Sequence, residues 1–468
     1  MENNMANIHT AYLHSLVLQH QCHPLQLVAE LTSASFCHEY LVYEHENEWA
    51  IGINKRLQLT VNHRSEVCDF EGKVAQVNPH HLCQYIHRAT QTLSREDWRL
   101  FGRADFEFSR FAHDLPQQEC EHPLLELFVA ETELRVTTTH VIVRTFESSL
   151  LAQIQAIITR VSHLPSPLPL QSKSCSQQDI VGGIEVKHHY QQAVDLAINE
   201  IKANQYKKVI LSRPAILPFN IDITKSFING RMNNTPARSF MLKLNNMQAF
   251  GFSPETVLEV DERGTLSTQP LAGTRLLPQD KTDAARLKNE LLNDPKEIAE
   301  HAASVKLAIE ELEQVCTPSS VHVSEFMTVS ERGSVQHLAS RVKGQLATDK
   351  SAWDAFRVLF PSITASGIPK REAIAAIARF EKQPRKLYSG SVFITDRNGF
   401  FDAALVLRAG YKTGSVSLLQ AGAGIISLSN PQREWEETCE KMACVLNHLV
   451  LETSDAQNSS SLISEAVA

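Results

Sequence analysis

YSGSVFITDRNGFFDAALVLRAGYKTGSVSLLQAG, residues 388–422, holds three strand patterns in succession. The patterns YSGSVFIT, FFDAALVLRAGY and SVSLLQAG are rich in β-branched, aromatic and small residues, and a helix pattern follows only after residue 430. Strands that follow one another without an intervening helix break the strict β-α-β order of a doubly wound fold. No G-x-G-x-x-G or phosphate-binding loop follows a strand in this sequence. The stretch therefore favours the α+β class over a Rossmann fold.

Strand patterns also dominate the first third of the chain. Residues 38–147 include EYLVYEHENEWAIGI, LQLTVNH, ADFEFSRF and LLELFVAETELRVTTTHVIVRTF, which we interpret as extended segments. A helix is predicted over 148–162, and the Pro- and Ser-rich segment 164–178 is the best linker candidate. We predict three parts: a strand-rich N-terminal portion, 1–180, a region that carries the site candidates, 188–452, and a disordered polar tail, 453–468.

The second half of the chain alternates between helix and strand patterns. Helices are predicted near 188–204, 281–315, 351–359 and 371–381, and strands near 207–213 and 238–270.

Composition excludes several classes of protein. The 468 residues carry a net charge of −8, which argues against binding dominated by nucleic-acid phosphates. No run of eighteen apolar residues occurs, so we expect no membrane span, and the N-terminus lacks the pattern of a signal peptide. Nine cysteines without a C-x-x-C pair fit reduced thiols better than a disulfide framework. We therefore expect a cytoplasmic protein.

The segment NPQREWEETCEKMACV, residues 430–445, concentrates four glutamates in a predicted helix. Asparagine followed by proline is a favourable helix start, with an N-cap side chain and proline at the first helical position. Glu436 and Glu440 point away from the apolar face of this helix, into water. Glu434, Glu437 and Lys441 lie in a narrow stripe along the border of that face.

A second predicted helix, NDPKEIAEHAASVKLAIEEL at residues 293–312, carries the same arrangement. Glu297 and Glu300 lie at the same border of its apolar face as Glu434 and Glu437 do on the other helix. Acidic residues in a first turn also favour the helix dipole, and D-x-x-E is a capping-box pattern, so one such pair alone indicates little. Two matching pairs favour a shared role. Facing carboxylates repel unless a cation lies between them, and Mg²⁺ suits oxygen ligands.

Two further polar groups lie in apolar surroundings. Lys207 and Lys208 open the strand pattern KKVILSR, and alternation sends them to opposite faces, so one of them can point inward. Burial would lower the pKa of the inward lysine towards that of a general base, although two exposed lysines are the simpler interpretation. Glu255 follows Pro254 between apolar strand patterns, where burial would raise its pKa and suit a general acid.

Ten motifs occur in order within residues 188–452: KKVILSR, FGFSPE, QPLAGTR, NDPKEIAEH, SERGSVQHLASRVKG, FPSITASGIPK, YSGSVFI, FDAALVLRAGY, AGAGI and EWEETCEK. In this combination the chain resembles the chorismate-utilising enzymes, which include the anthranilate, aminodeoxychorismate, isochorismate and salicylate synthases. The resemblance implies an α+β fold: a large two-sheet sandwich flanked by helices, of the anthranilate synthase component I type, whose N- and C-terminal parts share one fold. It also implies an active site between the sheets that binds chorismate with Mg²⁺.

The resemblance assigns the following roles to residues of this chain. Lys208 matches the base that activates the nucleophile, and Glu255 matches the acid that protonates the departing C4 hydroxyl. The metal candidates are the direct ligands Glu300 and Glu437 and the supporting carboxylates Glu297 and Glu434. The substrate-binding candidates are Tyr388 and Arg408 for the enolpyruvyl carboxylate, Gly422 and Lys441 near the substrate carboxylates, and Thr274, His337 and Thr364 in the pocket.

Lys208 also narrows the choice of nucleophile. Ammonia-using members of the family typically have glutamine at this position and recruit a glutaminase, so the lysine implies water and no glutaminase subunit. The motif combination most resembles bifunctional salicylate synthases of siderophore pathways, and a monomer is the expectation for the family. An isochorismate synthase that releases its intermediate is the main alternative, and an aminating anthranilate-type enzyme is a weaker one.

Overall fold

The computed structural model describes residues 12–20, 22–93, 98–165, 180, 183–332 and 335–452. Its helices in this part of the chain are α1 (Pro24–Thr32), α2 (Leu82–Gln91), α3 (Ser148–Ser162), α4 (Ile184–Lys202), α5 (Ile223–Met232), α6 (Lys281–Asn293), α7 (Pro295–Leu312), α8 (Ala352–Leu359), α9 (Lys370–Phe380) and α10 (Pro431–Leu446). Short 3₁₀ helices span Pro79–His81, Phe106–His113 and Ile363–Ala365.

The strands of the N-terminal part are β1 (His14–Gln19), β2 (Tyr40–His45), β3 (Glu48–Val61), β4 (Glu66–Cys68), β5 (Val74–Gln76), β6 (Arg99–Ala104), β7 (Leu125–Val136) and β8 (His140–Thr145). Those of the C-terminal part are β9 (Lys208–Ile216), β10 (Arg238–Leu244), β11 (Met247–Ser253), β12 (Thr256–Val260), β13 (Thr265–Thr268), β14 (Leu271–Leu276), β15 (His322–Arg332), β16 (Val335–Gln345), β17 (Gly367–Ile368), β18 (Ser391–Asp396), β19 (Phe401–Leu405), β20 (Ala409–Thr413) and β21 (Val416–Ile425).

The strands form two antiparallel sheets that share β3 and β7. The first sheet has the order β1-β8-β7-β3-β2-β10-β11-β20-β21-β9-β17. The second continues from the other halves of β3 and β7 through β6, β18, β19, β12, β13 and β16, with β14 and β15 also on β16. A register shift in β3 between Lys55 and Leu57 marks the place where the long strands pass from one sheet to the other.

One of the cores lies between the two sheets. It is built from fully buried side chains of both, such as Leu41 and Phe240 from the first sheet and Phe101 and Val392 from the second. Helices α1, α3, α5 and α10 cover the first sheet, and α2, α7 and α8 cover the second. The result is a two-sheet sandwich flanked by helices, so the predicted fold is confirmed. Strands β2 and β10, and likewise β6 and β18, are neighbours, so the N- and C-terminal parts share both sheets.

One strand prediction was wrong. The segment ADFEFSRF, residues 104–111, was interpreted as extended, but a 3₁₀ helix begins at Phe106. Its alternating letters suggest a strand, yet Phe108 and Phe111, three residues apart, both turn into the core and meet edge to face at 5.8 Å between ring centroids. The predicted tail, 453–468, and most of the predicted linker, 166–178, lie outside the described residues.

Candidate active site

The two glutamate-bearing helices begin where the sequence predicts. The Asp294 side chain accepts hydrogen bonds from the backbone N–H groups of residues 296 and 297 at 2.9 and 3.3 Å, which caps α7. Asn430 caps α10 in the same way, at 3.0 and 3.1 Å. Helix α7 packs on β14 and β16 of the second sheet, and α10 packs on β21 of the first. The glutamates of their first turns therefore approach the site from opposite sheets.

The outward glutamates of α10 are confirmed as surface residues. Glu436 and Glu440 have side chains that are 49% and 58% exposed, and both pair with Arg433. Glu434, by contrast, is only 5% exposed. Glu437 and Lys441 have side chains that are 33% and 40% exposed, so the outward face is as predicted and, of the predicted inward border, only Glu434 is fully buried.

Lys208 is the inward one of the two adjacent lysines. It is the first residue of β9 and is 5% exposed, whereas Lys207 is exposed. Its ammonium group forms an ion pair with the carboxylate of Glu300 on α7. Gly424 on β21 lies against the lysine stem, and a Cβ at that glycine would stand 3.1 Å from Lys208 Cε. The contact joins the start of β9, in the first sheet, to the carboxylate helix of the second.

Lys441 makes the corresponding contact on α10. Its Nζ lies 2.8 Å from Glu437 Oε1 and donates to the carbonyl of Gly422 at 2.9 Å. Burial acts to raise the pKa of Glu437, but Lys441 and other nearby cations outweigh it, and the pKa is lowered. The buried Tyr388 hydroxyl would be 3.1 Å from a Cβ at Gly422, so only glycine leaves room for this approach. Lys441, Gly422 and Tyr388 therefore form one cluster.

Glu255 lies in the connection between β11 and β12 and is 2% exposed. The hydroxyl of Thr364 donates to its two carboxylate oxygens at 2.9 and 2.8 Å, and the hydroxyl of Ser362 donates at 2.7 Å. Burial raises the pKa of Glu255 to about 7, against the lowering effects of both hydroxyls and of the Lys208 charge. A carboxyl group with a pKa near neutrality can give up a proton at physiological pH.

His337 and Arg408 are joined directly. The Nε2 atom of His337 accepts from Arg408 Nη2 at 2.7 Å, and its Nδ1 donates to the Gly273 carbonyl at 3.1 Å. Burial, followed by the Arg408 charge, lowers the pKa of His337 to about 3, so the imidazole is neutral and can accept from the arginine. Thr274 follows Gly273 on β14, where its backbone lies opposite that of His337.

The supporting carboxylates have raised pKa values. Burial raises the pKa of Glu297, and the adjacent Glu300 raises it further against the effect of Arg275. Burial also raises the pKa of Glu434, with Glu437 adding to the shift. A cation between these groups would relieve both effects, because it favours the charged form of a carboxyl group.

The donor set fits Mg²⁺ in its chemistry. All four groups are carboxylates, and Gly273, at φ +67°, lets the Glu297 carboxylate lie close to the β14 backbone, because a Cβ at this position would stand 2.8 Å from Glu297 Oε2. Among the described residues, however, no three carboxylate, imidazole or thiol groups converge closely enough to hold a metal ion as they stand. The ammonium groups of Lys208 and Lys441 contact the two expected direct ligands, Glu300 and Glu437.

Two polar neighbours of the site were not identified from the sequence. Ser362 binds Glu255 beside Thr364. The sequence feature that could have predicted this contact is the pair of hydroxyl residues in FPSIT. Arg275 contacts Asp294 at 2.8 Å and Glu297 at 3.4 Å. The sequence feature that could have predicted it is its position as the charged residue at the end of the glycine turn LAGTR. Ser362 acts through its contact with Glu255, and Arg275 acts through its contact with Glu297.

Comparison with known proteins identifies the family. The profile described as chorismate binding enzyme matches residues 35–447. The chain belongs to this family. It is 36% identical over 439 residues to the salicylate synthase of Mycolicibacterium paratuberculosis, an alignment that covers 91% of this chain and 94% of the relative. The chorismate-utilising enzymes were the family predicted from the ordered motifs, and that prediction is confirmed.

Two solved structures of chorismate-family proteins share the fold. Anthranilate synthase component I from Streptococcus pneumoniae superposes with a TM-score of 0.70 at 22% identity, covering 86% of this chain and 92% of that one. The menaquinone-specific isochorismate synthase MenF from Escherichia coli gives a TM-score of 0.70 at 21% identity, with coverages of 93% and 94%. These likenesses establish the architecture, and the roles of individual residues remain predictions. Over the described ranges, no helix is long and apolar enough to cross a membrane.

Proposed function

We propose that this protein is a Mg²⁺-dependent salicylate synthase, which converts chorismate to isochorismate and then to salicylate and pyruvate. The observation that carries the proposal is the pair formed by Lys208, a buried lysine, and Glu255, a buried carboxyl group with a pKa of about 7. The two are close enough for the lysine charge to lower the pKa of the carboxyl group. The 36% identity to a salicylate synthase over most of both chains supports the same reaction class.

The first step is an exchange of hydroxyl groups on the ring. Lys208 serves as the base and takes a proton from water, and the water oxygen bonds to C2 of chorismate. The ring double bonds shift, the C4–O bond breaks, and Glu255 gives its proton to the departing hydroxyl group, which leaves as water. Ser362 and Thr364 then stabilise the glutamate anion through the hydrogen bonds that they already make.

The remaining residues bind and orient the substrate. Arg408, held by His337, offers its guanidinium group to the enolpyruvyl carboxylate, and Tyr388 lies beside Gly422 and Lys441 at the predicted carboxylate site. Glu297, Glu300, Glu434 and Glu437 would hold Mg²⁺, which when bound supplies positive charge for the ring carboxylate.

The second step needs orientation more than proton transfer. A pericyclic hydrogen transfer from C2 to the enolpyruvyl methylene group breaks the C3–O bond, releases pyruvate and leaves the aromatic ring of salicylate. The pocket must hold isochorismate in a compact conformation for this transfer. Arg408 and Tyr388 serve that purpose by fixing the enolpyruvyl carboxylate.

A second candidate is an isochorismate synthase that releases its product. It is favoured by the same lysine and carboxyl pair, because that pair serves only the first step. The purified protein is incubated with chorismate and Mg²⁺, and the products are separated by chromatography. Salicylate with equimolar pyruvate supports the proposed function, and isochorismate alone supports the second candidate. Ammonium added to the same reaction should yield no anthranilate, since Lys208 directs water to the ring.

The wider setting is also a proposal. We place the enzyme in the cytoplasm as a monomer without a glutaminase subunit, supplying salicylate to a siderophore pathway. Size-exclusion chromatography with light scattering tests the monomeric state, since a monomer has the 52.4 kDa mass of one chain. Loss of siderophore secretion on deletion of the gene, restored by added salicylate, tests the assignment to a siderophore pathway.

A further inference from the structure

Strand β9 is paired along one edge by an unusually short strand. Its outer neighbour β17 contains only Gly367 and Ile368, which pair with Val209 and Lys208. One more backbone bond follows, from the Ile210 N–H to the Ser366 carbonyl at 2.9 Å. Beyond that point no strand of the described residues lies beside this edge of β9, the strand on which Lys208 lies.

Two side chains continue the pairing where β17 ends. Arg385 Nη2 donates to the Ile210 carbonyl at 2.6 Å, and the Glu381 carboxylate accepts from the Ser212 backbone N–H at 2.7 Å. The Ser212 hydroxyl adds a bond to the same carboxylate at 3.0 Å. Arg385 and Glu381 also bind each other, with Nε to Oε2 at 2.9 Å. The pair therefore occupies the place of an edge strand.

The same guanidinium group reaches the segment that supports Glu255. Arg385 Nη1 donates to the carbonyl of Ala365 at 2.7 Å, one residue beyond Thr364. Its planar group thus joins the backbone two residues after Lys208 to the backbone one residue after the hydroxyl that binds Glu255. These are the two chain segments that must keep a fixed separation if a base and an acid are to act on opposite sides of one substrate.

The guanidinium group is itself rigidly held. Arg385 is 3% exposed and stacks over the Phe106 ring at 4.6 Å from its centroid. The backbone N–H groups of Arg385 and Lys386 donate to the carboxylate of Glu107 at 2.8 and 3.0 Å. A fixed, planar fork of donors is a property of arginine that lysine does not share. The residue is therefore suited to set a distance rather than only to supply charge.

We propose that Arg385, oriented by Glu381, is a positioning residue that fixes the Lys208 segment relative to the Thr364–Glu255 pair for the water-addition step. This role rests on the proposed function and does not involve contact with substrate. It separates the two steps of the reaction. Water addition needs a fixed distance between the base Lys208 and the acid Glu255. Pyruvate elimination depends only on the orientation of isochorismate.

The test compares Arg385→Lys with the wild-type enzyme on chorismate and on supplied isochorismate. Because misplacing a catalytic group by about 1 Å can cost on the order of 100-fold in rate, we expect kcat for water addition to fall on the order of 100-fold. We expect KM for chorismate and the rate of pyruvate elimination to stay close to wild type. Ser212→Ala, which leaves the backbone bond to Glu381 in place, is the matched control and should retain both rates.

Equal losses in the two steps, or a raised KM with unchanged kcat, would overturn the positioning role. If Arg385→Lys does not fold, Glu381→Gln replaces it, since this variant removes one charge from the pair and keeps the side-chain length. Its rates of water addition and of pyruvate elimination are each compared with those of the wild-type enzyme. The proposed function is judged separately, from the products of the wild-type enzyme. The positioning role is judged from the rate of the variant divided by the rate of the wild-type enzyme, for water addition and for pyruvate elimination separately.

Discussion

The hydroxyl of Thr364 donates to the carboxylate of Glu255 at 2.8 Å, and this bond connects a short 3₁₀ helix to the segment that joins β11 of the first sheet to β12 of the second. The bond favours the charged form of Glu255, while burial favours the neutral form and prevails, so the pKa lies at about 7. The balance between these two effects determines the pH range in which Glu255 can donate a proton.

Replacing Thr364 with valine should move the pH profile of the first step. The variant keeps the shape of the side chain but removes a hydrogen bond to the carboxylate, so the pKa of Glu255 should rise by about one unit. Because the acid acts in its protonated form, the basic limb of kcat/KM for water addition should shift to higher pH by the same amount. Thr364→Ser keeps the hydroxyl group and should keep the limb in place. An unshifted limb in the valine variant would show that Thr364 does not tune the acid.

The Glu255→Gln variant should lose the water-addition activity. Its free energy of unfolding, compared with that of the wild-type protein, should increase as the pH rises. The loss in the rate of water addition should be about 100- to 10,000-fold, the usual range for a general acid. The folded pKa of about 7 exceeds the ordinary value of 4.5, so the native state binds more protons than the unfolded chain between those pH values. Wild-type stability therefore falls as pH rises through this window, by roughly 3 kcal/mol in total.

Urea unfolding at pH 5 and pH 8 measures this stability effect. The free energy of unfolding of the glutamine variant should increase relative to wild type between the two pH values. A constant difference would contradict the raised pKa of Glu255.

Lys208→Ala should abolish isochorismate formation while the chain stays folded. The lysine is buried and contacts Glu300, but the Glu300 side chain is 20% exposed, so water can reach its carboxylate once the ammonium group is gone. Lys207→Ala is the matched control, because this neighbouring lysine is exposed and should be dispensable. Steady-state assays on chorismate, with circular dichroism to verify folding, distinguish the two. Full turnover by the Lys208 variant would rule out this residue as the base.

Glu434→Gln should raise the Mg²⁺ concentration needed for half-maximal activity. Loss of a supporting carboxylate typically weakens metal affinity about 10- to 100-fold. Glu436→Gln, on the wet face of the same helix, removes the same charge from an exposed position and should leave the requirement unchanged. A Mg²⁺-induced shift in melting temperature offers a second readout. Equal behaviour of the two variants would contradict the assignment of the inward border to metal binding.

Much of the site was predictable because its residues follow local patterns. The helix starts at Asp294 and Asn430 and the outward direction of Glu436 and Glu440 follow from capping and helical periodicity, whereas strand alternation left open which of Lys207 and Lys208 points inward. The buried position of Glu255 followed from the apolar strands on either side of it. These features depend on neighbours within a few residues, which the sequence displays directly.

The contacts that join the site were not predictable in the same way. The Lys208–Glu300 ion pair spans 92 positions and the bond from Ser362 to Glu255 spans 107, so no local pattern reports either of them. Nor does the sequence indicate that Arg385 takes the place of a strand beside β9. Periodicity also misled at residues 104–111, where an alternating pattern forms a 3₁₀ helix.

The most direct test of the proposed function is the product formed from chorismate. The purified wild-type protein is incubated with chorismate and Mg²⁺, and the reaction is followed by salicylate fluorescence while samples are analysed by chromatography. A salicylate synthase predicts salicylate and pyruvate in equal amounts, with isochorismate only as a transient species, and no product after Mg²⁺ is chelated. Accumulation of isochorismate without salicylate, or formation of salicylate in the absence of divalent cations, would contradict the account.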